Sequence, residues 1–420
     1  MRSLSGNQTN SREVVIVSAV RTPLCRATKG KLAKVPPATL LSVALKGCLE
    51  APTRLDGSIW DGFKVEAEAI EDICIGNVLA PASGYAAIRM AQLASDIPFK
   101  CSLSTVNRQC SSGLQAVATI AAAIQAGTIT IGIAGGVESM SFHPMKSITA
   151  PDVDWEVMQQ YSSKHKNGPM DCLIPMGVTS ENVSKMFGQS RQKLDEFAAL
   201  SHQKAARAQQ MGKFKDEIVP VGSVTEDDGI RPTTTVQTLS KLAPVFDKSN
   251  KGTTTAGNSS QMTDGAAAIL LMTLTEAKRR GLKILGYWRG FAVQGVPPRI
   301  MGVGPAIAIP RVLKQCNLTI QDIDVFELNE AFASQATWCI EELGLDPSKV
   351  NPNGGAIALG HPLGCTGARQ VATLLHELKR QSSSNRRLGV ISMCIGTGMG
   401  AAAVFEVEPD YDTQKLRSSL

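Results

Sequence analysis

Four short segments hold residue types that can do covalent chemistry. In Val106-Asn107-Arg108-Gln109-Cys110-Ser111-Ser112-Gly113, a thiol precedes a run of small apolar residues, Leu114 to Ala126, that reads as a buried helix. Unpaired N–H groups and the positive end of the helix dipole there favour thiolate over thiol. A thiolate is a covalent nucleophile, although most buried cysteines are inert packing residues. The segment Glu327-Leu328-Asn329-Glu330 follows an apolar strand. Buried polar groups at a strand end need partners or a job; an N-cap with a first-turn acid is the plain alternative. In Asn353-Gly354-Gly355 to Gly360-His361-Pro362-Leu363-Gly364, glycines let a ligand approach a histidine closely. A structural histidine is the alternative. Cys394-Ile395-Gly396-Thr397-Gly398-Met399-Gly400 has the spacing G-x-G-x-G, not the dinucleotide spacing G-x-G-x-x-G. Only 20 residues follow it, too few for a βαβ unit. It reads as a turn that presents N–H donors beside a second thiol.

The elements that must position these groups are strands alternating with helices. Strand-like runs at Val14–Val20, Ile73–Ile75, Thr130–Ala134, Val325–Glu327 and Leu388–Met393 predict an α/β protein with a largely parallel sheet. All four segments fall at the carboxyl end of a strand or in the turn after it, where open α/β sheets bind ligands. The chain also repeats itself. Gly113-Leu114-Gln115-Ala116-Val117-Ala118-Thr119-Ile120 matches Gly367-Ala368-Arg369-Gln370-Val371-Ala372-Thr373-Leu374, and a glycine-punctuated strand follows each. Two similar halves are predicted. Residues from about 140 to 254 are more polar, with helical spacing at Ser180–Phe187 and Leu194–Met211, as in an inserted, partly exposed domain. The small residues from Thr253 to Ala268 read as a tight loop entering a buried strand or helix.

Composition bounds the partners. At 420 residues, two or three domains are expected. The net charge of +6 suits anionic small ligands, while the scattered basic residues predict no nucleic-acid binding. Ten cysteines without a C-x-x-C pair argue against a zinc site and a disulfide framework. No apolar stretch is long enough to span a bilayer, and residues 1–12 carry no signal or transit pattern.

Together, N-R-Q-C-S-S-G, N-E-A-F, G-H-P-x-G-x-x-G and C-x-G-x-G, in this order, resemble the thiolases. The resemblance covers roughly Val14 to Val407. The wording DCLIPMG, TTAGNSSQ, GVPP, MGVGP and SMCIGTGMGAAAVFE resembles the peroxisomal 3-ketoacyl-CoA branch of that family. It implies two similar halves in a five-layered αβαβα core, an inserted loop domain, and a homodimer or tetramer. The expected division is 1–138 plus 255–283 for the first half, 139–254 for the loop domain and 284–420 for the second half. Cys110 resembles the acylated nucleophile and His361 the base that activates it. Cys394 resembles the second acid/base, and Asn329 the holder of the water in a first oxyanion hole. The N–H groups of Cys110 and Gly396 would form the second hole. Met176 and Ser260 would lie along the pantetheine, with Arg231 near the nucleotide. No metal or other cofactor is implied; CoA and acyl-CoA are substrates.

Two positions depart from the family. Pro175 stands before Met176 where acetoacetyl-specific members carry histidine, which favours a broader acyl range. The stretch Val219–Arg231 is shorter than the family pattern, which bears on the nucleotide contacts. The expected activity is thiolytic cleavage of 3-ketoacyl-CoA in fatty-acid β-oxidation. The rivals are a biosynthetic acetoacetyl-CoA thiolase and a non-catalytic acyl-CoA carrier. A ketoacyl synthase would lack Cys394, and a Cys/His/Asn hydrolase would not need a second thiol. The terminal Ser418-Ser419-Leu420 resembles the S-K-L address with Ser419 in place of the basic residue. The expected compartment is the peroxisome, with mitochondrion or cytosol as alternatives.

Overall fold

The run Val14–Arg21 is rich in β-branched residues and buried on both faces, so it forms a central strand. In this computed structural model, residues 12–50, 65–145, 151–249, 251–382 and 385–409 are described. The terminal Ser418-Ser419-Leu420 and residues 1–11 lie outside them. The strands are β1 (Val14–Arg21), β2 (Cys25–Arg26), β3 (Asp72–Gly76), β4 (Ser102–Val106), β5 (Ile131–Ser139) and β6 (Thr263–Thr273) in the first half. The second half contributes β7 (Gly286–Gly295), β8 (Val325–Leu328), β9 (Arg387–Ile395) and β10 (Met399–Val407). Their order is β4-β3-β5-β6-β1-β7-β10-β9-β8, with β2 beside β6.

The sheet is mixed, which corrects the expectation of a largely parallel one. Among the described strands, only β3–β4, β3–β5 and β8–β9 run parallel. β5–β6, β6–β1, β1–β7, β7–β10 and β10–β9 are antiparallel. The reason is local for β9–β10. Their connection is a hairpin at Gly396-Thr397-Gly398, where Thr397 has φ 70° and Gly398 φ 93°, and a hairpin reverses the chain. β6 and β10 are mostly apolar runs with an alanine triplet each, almost wholly buried. Such a run has no period that would mark it as a strand.

The halves share one topology. The first half reads β4-β3-β5-β6-β1 outward to inward. The second reads β8-β9-β10-β7, and a single parallel bridge from Phe326 to Val350 stands where β4 stands beside β3. His361 therefore follows a one-residue remnant of a strand and a short helix, Ala356–Leu359, not a full strand as expected.

Two helices lie between the half-sheets, Ser112–Ala126 and Leu363–Gln381. They are the two sequence repeats, and their glycines explain the repetition. A Cβ on Gly367 would stand 2.3 Å from Leu114 N, and one on Gly113 would stand 2.8 Å from Ala368 N. The backbones meet with no room for a side chain. One core surrounds this pair, from Ile120 and Val371 out to Ile269 and Phe405. A second core covers the other face of the first half under helix Pro37–Leu49. A third covers the second half under helix Gly304–Gln315. Helix, sheet, helix pair, sheet and helix make five layers.

Between β5 and β6 the chain leaves the core. Helices Trp155–Lys164, Met176–Phe187 and Arg191–Gln210 form there, the last capped by the Ser190 hydroxyl, which accepts from Lys193 N. This segment is tied to the core by charge. Arg21, fully buried, donates to Glu217 at 2.6 Å and to both oxygens of Asp227 at 2.7 and 2.9 Å. Asp228 accepts from the N–H groups of Arg26 and Lys31. Among the described residues, no helix is long and apolar enough to cross a membrane.

Candidate active site

Cys110 sits one residue before Ser111, the N-cap of helix Ser112–Ala126. Gln109 precedes it at φ 48°, so the loop is wound tightly. The first N–H groups of the helix do not serve the sulfur. Ser111 N and Ser112 N donate to the carbonyls of Arg108 and Gln109. Burial pushes the Cys110 thiol up to about 11, against the pull of the N–H groups of Gly396 and of Cys110 itself; the Glu138 charge adds to the rise. The expectation that a helix start yields a ready thiolate is thus not met in the free protein. Desolvation outweighs the donors.

The N–H of Gly396 reaches Cys110 from the β9–β10 hairpin, and Cys394 lies at the end of β9. The Cys394 thiol is pushed well above its ordinary value by burial, and next by charge on Cys110. The two sulfurs therefore share one pocket. Cys394 packs with Met301 and Ala331, and Met176 and Phe332 lie against this group.

His361 is buried, and its two ring nitrogens have different partners. Nδ1 lies 2.6 Å from Thr366 Oγ1, and Nε2 lies 3.4 Å from Asn329 Nδ2. An amide N–H facing Nε2 assigns the proton to Nδ1, which donates to Thr366. Nε2 is then the free base. Burial, with the Arg369 guanidinium second, pushes the imidazole down to about 3. The free site thus holds a neutral thiol and a neutral imidazole. Gly360, at φ 105°, precedes His361, and a Cβ there would stand 2.2 Å from Thr263 Oγ1. Only glycine fits this turn.

Asn329 follows β8 and is fully buried. Its Oδ1 has no hydrogen-bond partner. An orphaned buried acceptor costs about 1–3 kcal/mol, so it calls for a donor from a water or a ligand. Its neighbour Glu330 does not join the pocket, which corrects its place beside Asn329 in the predicted cluster. Its carboxylate accepts from Ser201 Oγ, Asn351 Nδ2 and Ile357 N, and so ties helix Arg191–Gln210 to the turn before His361. Cys365 is buried in the helix-pair core.

Around the pocket, Met176 opens helix Met176–Phe187, and its Cε lies 2.9 Å from where a Cβ on Gly396 would stand. Ser260 donates its N–H to Ala331 O. Arg231 is exposed, with its N–H on His202 Nδ1 at 3.2 Å. Gln261 was not predicted. Its carbonyl accepts from His361 N, while its amide donates to Gly229 O and Ile357 O. Among the described residues, no group of three His, Cys, Asp or Glu could hold a metal.

Two thiols, an imidazole and an orphaned amide on a duplicated core match one family. Residues 14–275 match the family described as thiolase, N-terminal domain, and residues 282–407 match thiolase, C-terminal domain. The chain belongs to the thiolases. A human protein named 3-ketoacyl-CoA thiolase, peroxisomal, is 53% identical over 412 residues, 95% of this chain and 92% of its own length. An Arabidopsis thaliana protein named 3-ketoacyl-CoA thiolase 2, peroxisomal, is 52% identical over 94% of this chain and 84% of its own. The crystal structure of the dimeric peroxisomal thiolase of Saccharomyces cerevisiae superposes with TM-score 0.85 at 47% identity, covering 96% of this thiolase and 99% of that chain.

Proposed function

We propose that this thiolase cleaves 3-ketoacyl-CoA with CoA, giving acetyl-CoA and a shortened acyl-CoA, in fatty-acid β-oxidation. The observation that carries this is the relation to peroxisomal 3-ketoacyl-CoA thiolases over 95% of the chain.

In this mechanism His361 Nε2 takes the Cys110 proton as the sulfur attacks the keto carbon. Neutral partners make the transfer part of the attack rather than a step before it. The carbon–carbon bond breaks, and its electron pair becomes the enolate of acetyl-CoA. Cys394 donates its proton to that enolate carbon, and the acyl group stays on Cys110 as a thioester. The incoming CoA thiol then returns a proton to Cys394 and attacks the thioester. Cys110 leaves and regains its proton from His361. A water held by Asn329 Oδ1 would donate to one developing oxyanion, and the N–H groups of Cys110 and Gly396 to the other. CoA is a substrate here, with Met176 and Ser260 along its pantetheine and Arg231 toward its nucleotide. Pro175, the cap of the Met176 helix, leaves out the histidine of acetoacetyl-specific members.

The loop domain is assigned to residues 139–254, between the first half (1–138 plus 255–283) and the second (284–420). The end of β5 at Ser139 and the start of β7 at Gly286 support these limits. The names of the relatives support a peroxisomal location. The dimeric yeast structure supports a homodimer. The surface best suited to it is the edge strand β4 with its neighbours Phe99, 82% exposed, and Met90, 68% exposed.

The test is thiolysis of acetoacetyl-CoA and a series up to 3-ketohexadecanoyl-CoA, followed by the magnesium-enolate absorbance. Loss of absorbance with chains longer than C4 is expected. No loss with any chain sinks the enzyme reading; faster turnover of C4 than of every longer chain sinks the β-oxidation reading.

A further inference from the structure

Matching strand ends of the two halves do not carry the same chemistry. Gly76 pairs with Gly136 at the end of β3–β5, and Leu328 pairs with Ser392 at the end of β8–β9. Counting one residue past the first strand and two along the second gives Asn77 with Glu138 in one half. The same count gives Asn329 with Cys394 in the other. Glu138 therefore occupies the place that holds the second thiol across the duplication.

Glu138 is fully buried. A buried carboxylate is costly unless its lone pairs are used, and here all four are. Oε1 accepts from Asn77 Nδ2 at 3.3 Å and Leu79 N at 3.2 Å. Oε2 accepts from Val78 N at 3.1 Å and Gly364 N at 2.9 Å. The first three donors lie in the turn after β3, whose Val78 and Leu79 pack, as Cys110 does, against the cluster of Ala27, Met140 and Leu363. The fourth is in the first turn of helix Leu363–Gln381, three residues after His361. One side chain thus joins a turn that shares its apolar cluster with the nucleophile to the segment of the base, across the boundary between the halves.

We propose that Glu138 is a positioning residue of the reaction: its carboxylate sets the turn that shares a cluster with Cys110 against the His361 segment. The proposal rests on the thiolysis reading above. It depends on four acceptor sites, which a carboxamide lacks. In Glu138→Gln, one oxygen becomes NH2 and must face either Leu79 N–H or the N–H groups of Val78 and Gly364. Donor then meets donor. Glu138→Asp keeps the acceptors at shorter reach.

The experiment uses the full chain, wild type with E138Q and E138D, and measures kcat, KM for one 3-ketoacyl-CoA, and Tm. E138Q is expected to lose about tenfold or more in kcat, as a small misplacement of reacting groups does. KM should stay within about threefold, because ground-state binding is untouched. Tm should fall by less than about 5 °C, and E138D should recover part of the kcat. The proposal is overturned if kcat of E138Q stays within about twofold of wild type. It is also overturned if the loss falls on KM, or if E138D is no better than E138Q. If neither variant folds, Glu138 serves folding alone and the proposal fails. A wild type without thiolysis overturns the function and this proposal together, whereas an active wild type with an unimpaired E138Q overturns only the latter.

Discussion

The Cys110 thiol and the His361 imidazole are each held in the uncharged form by burial, the one pushed up to about 11 and the other down to about 3. Resting enzyme is then a poor alkylation target despite its nucleophile. The thiolate fraction of a group titrating near 11 rises about tenfold per pH unit through the range of ordinary assays. Cys172, exposed on the surface, should react with iodoacetamide first. A slower second site should speed up with pH across 7 to 10 and vanish in Cys110→Ser. Mass spectrometry of the labelled peptides decides this; a second site that persists in the variant removes Cys110 as the reactive thiol. At this scale the sequence was most legible. Cys110, Asn329, His361 and Cys394 stand in short motifs, and the structure brings Cys110 near Cys394 and Asn329 to His361. Gln261 and Glu138 were not picked out, because their partners lie far away in sequence; Thr366, five residues after His361, stands at an unspecified position of its motif. A Glu near the end of an otherwise apolar strand, as Glu138 is in Gly135-Gly136-Val137-Glu138, was the one signal available: a charge where burial is expected.

Between the half-sheets, helices Ser112–Ala126 and Leu363–Gln381 carry the repeat that the sequence displays, and the reason for the repeat is steric. A methyl at Gly367 would meet the Leu114 backbone, which cannot rotate aside. Gly367→Ala should therefore cost about 3 kcal/mol or more, at the upper end for an overfilled core. Gly295→Ala is the control. A Cβ there meets nothing within 4 Å, and its cost should stay within about 0.5 kcal/mol. Denaturant melts of both variants give the comparison, and equal midpoints would show that the helix pair tolerates a side chain. Strand direction was the part of the fold that the sequence concealed. Val14–Arg21 and Thr263–Thr273 are buried on both faces, so neither has the alternation that marks a half-exposed antiparallel strand. The single bridge at Val350 was equally hidden, since one paired residue leaves no pattern.

For the whole molecule, the proposed dimer makes a direct demand on β4. An edge strand with bare hydrogen-bonding groups and a protruding Phe99 is a liability unless something covers it. Phe99→Asp should leave the protomer folded, since the side chain touches little, and should shift the protein from dimer toward monomer in light scattering. An unchanged mass would move the interface elsewhere. The duplicated core itself has a further consequence. Where Gly113 and Gly367 let two backbones touch, the spacing of the halves is fixed by bond lengths and van der Waals radii rather than by rotamers. Side chains in the outer layers can drift over evolutionary time without altering that spacing. Two ancestral copies could thus specialise, one toward a nucleophile and the other toward proton transfer, while the ruler between them stayed the same length.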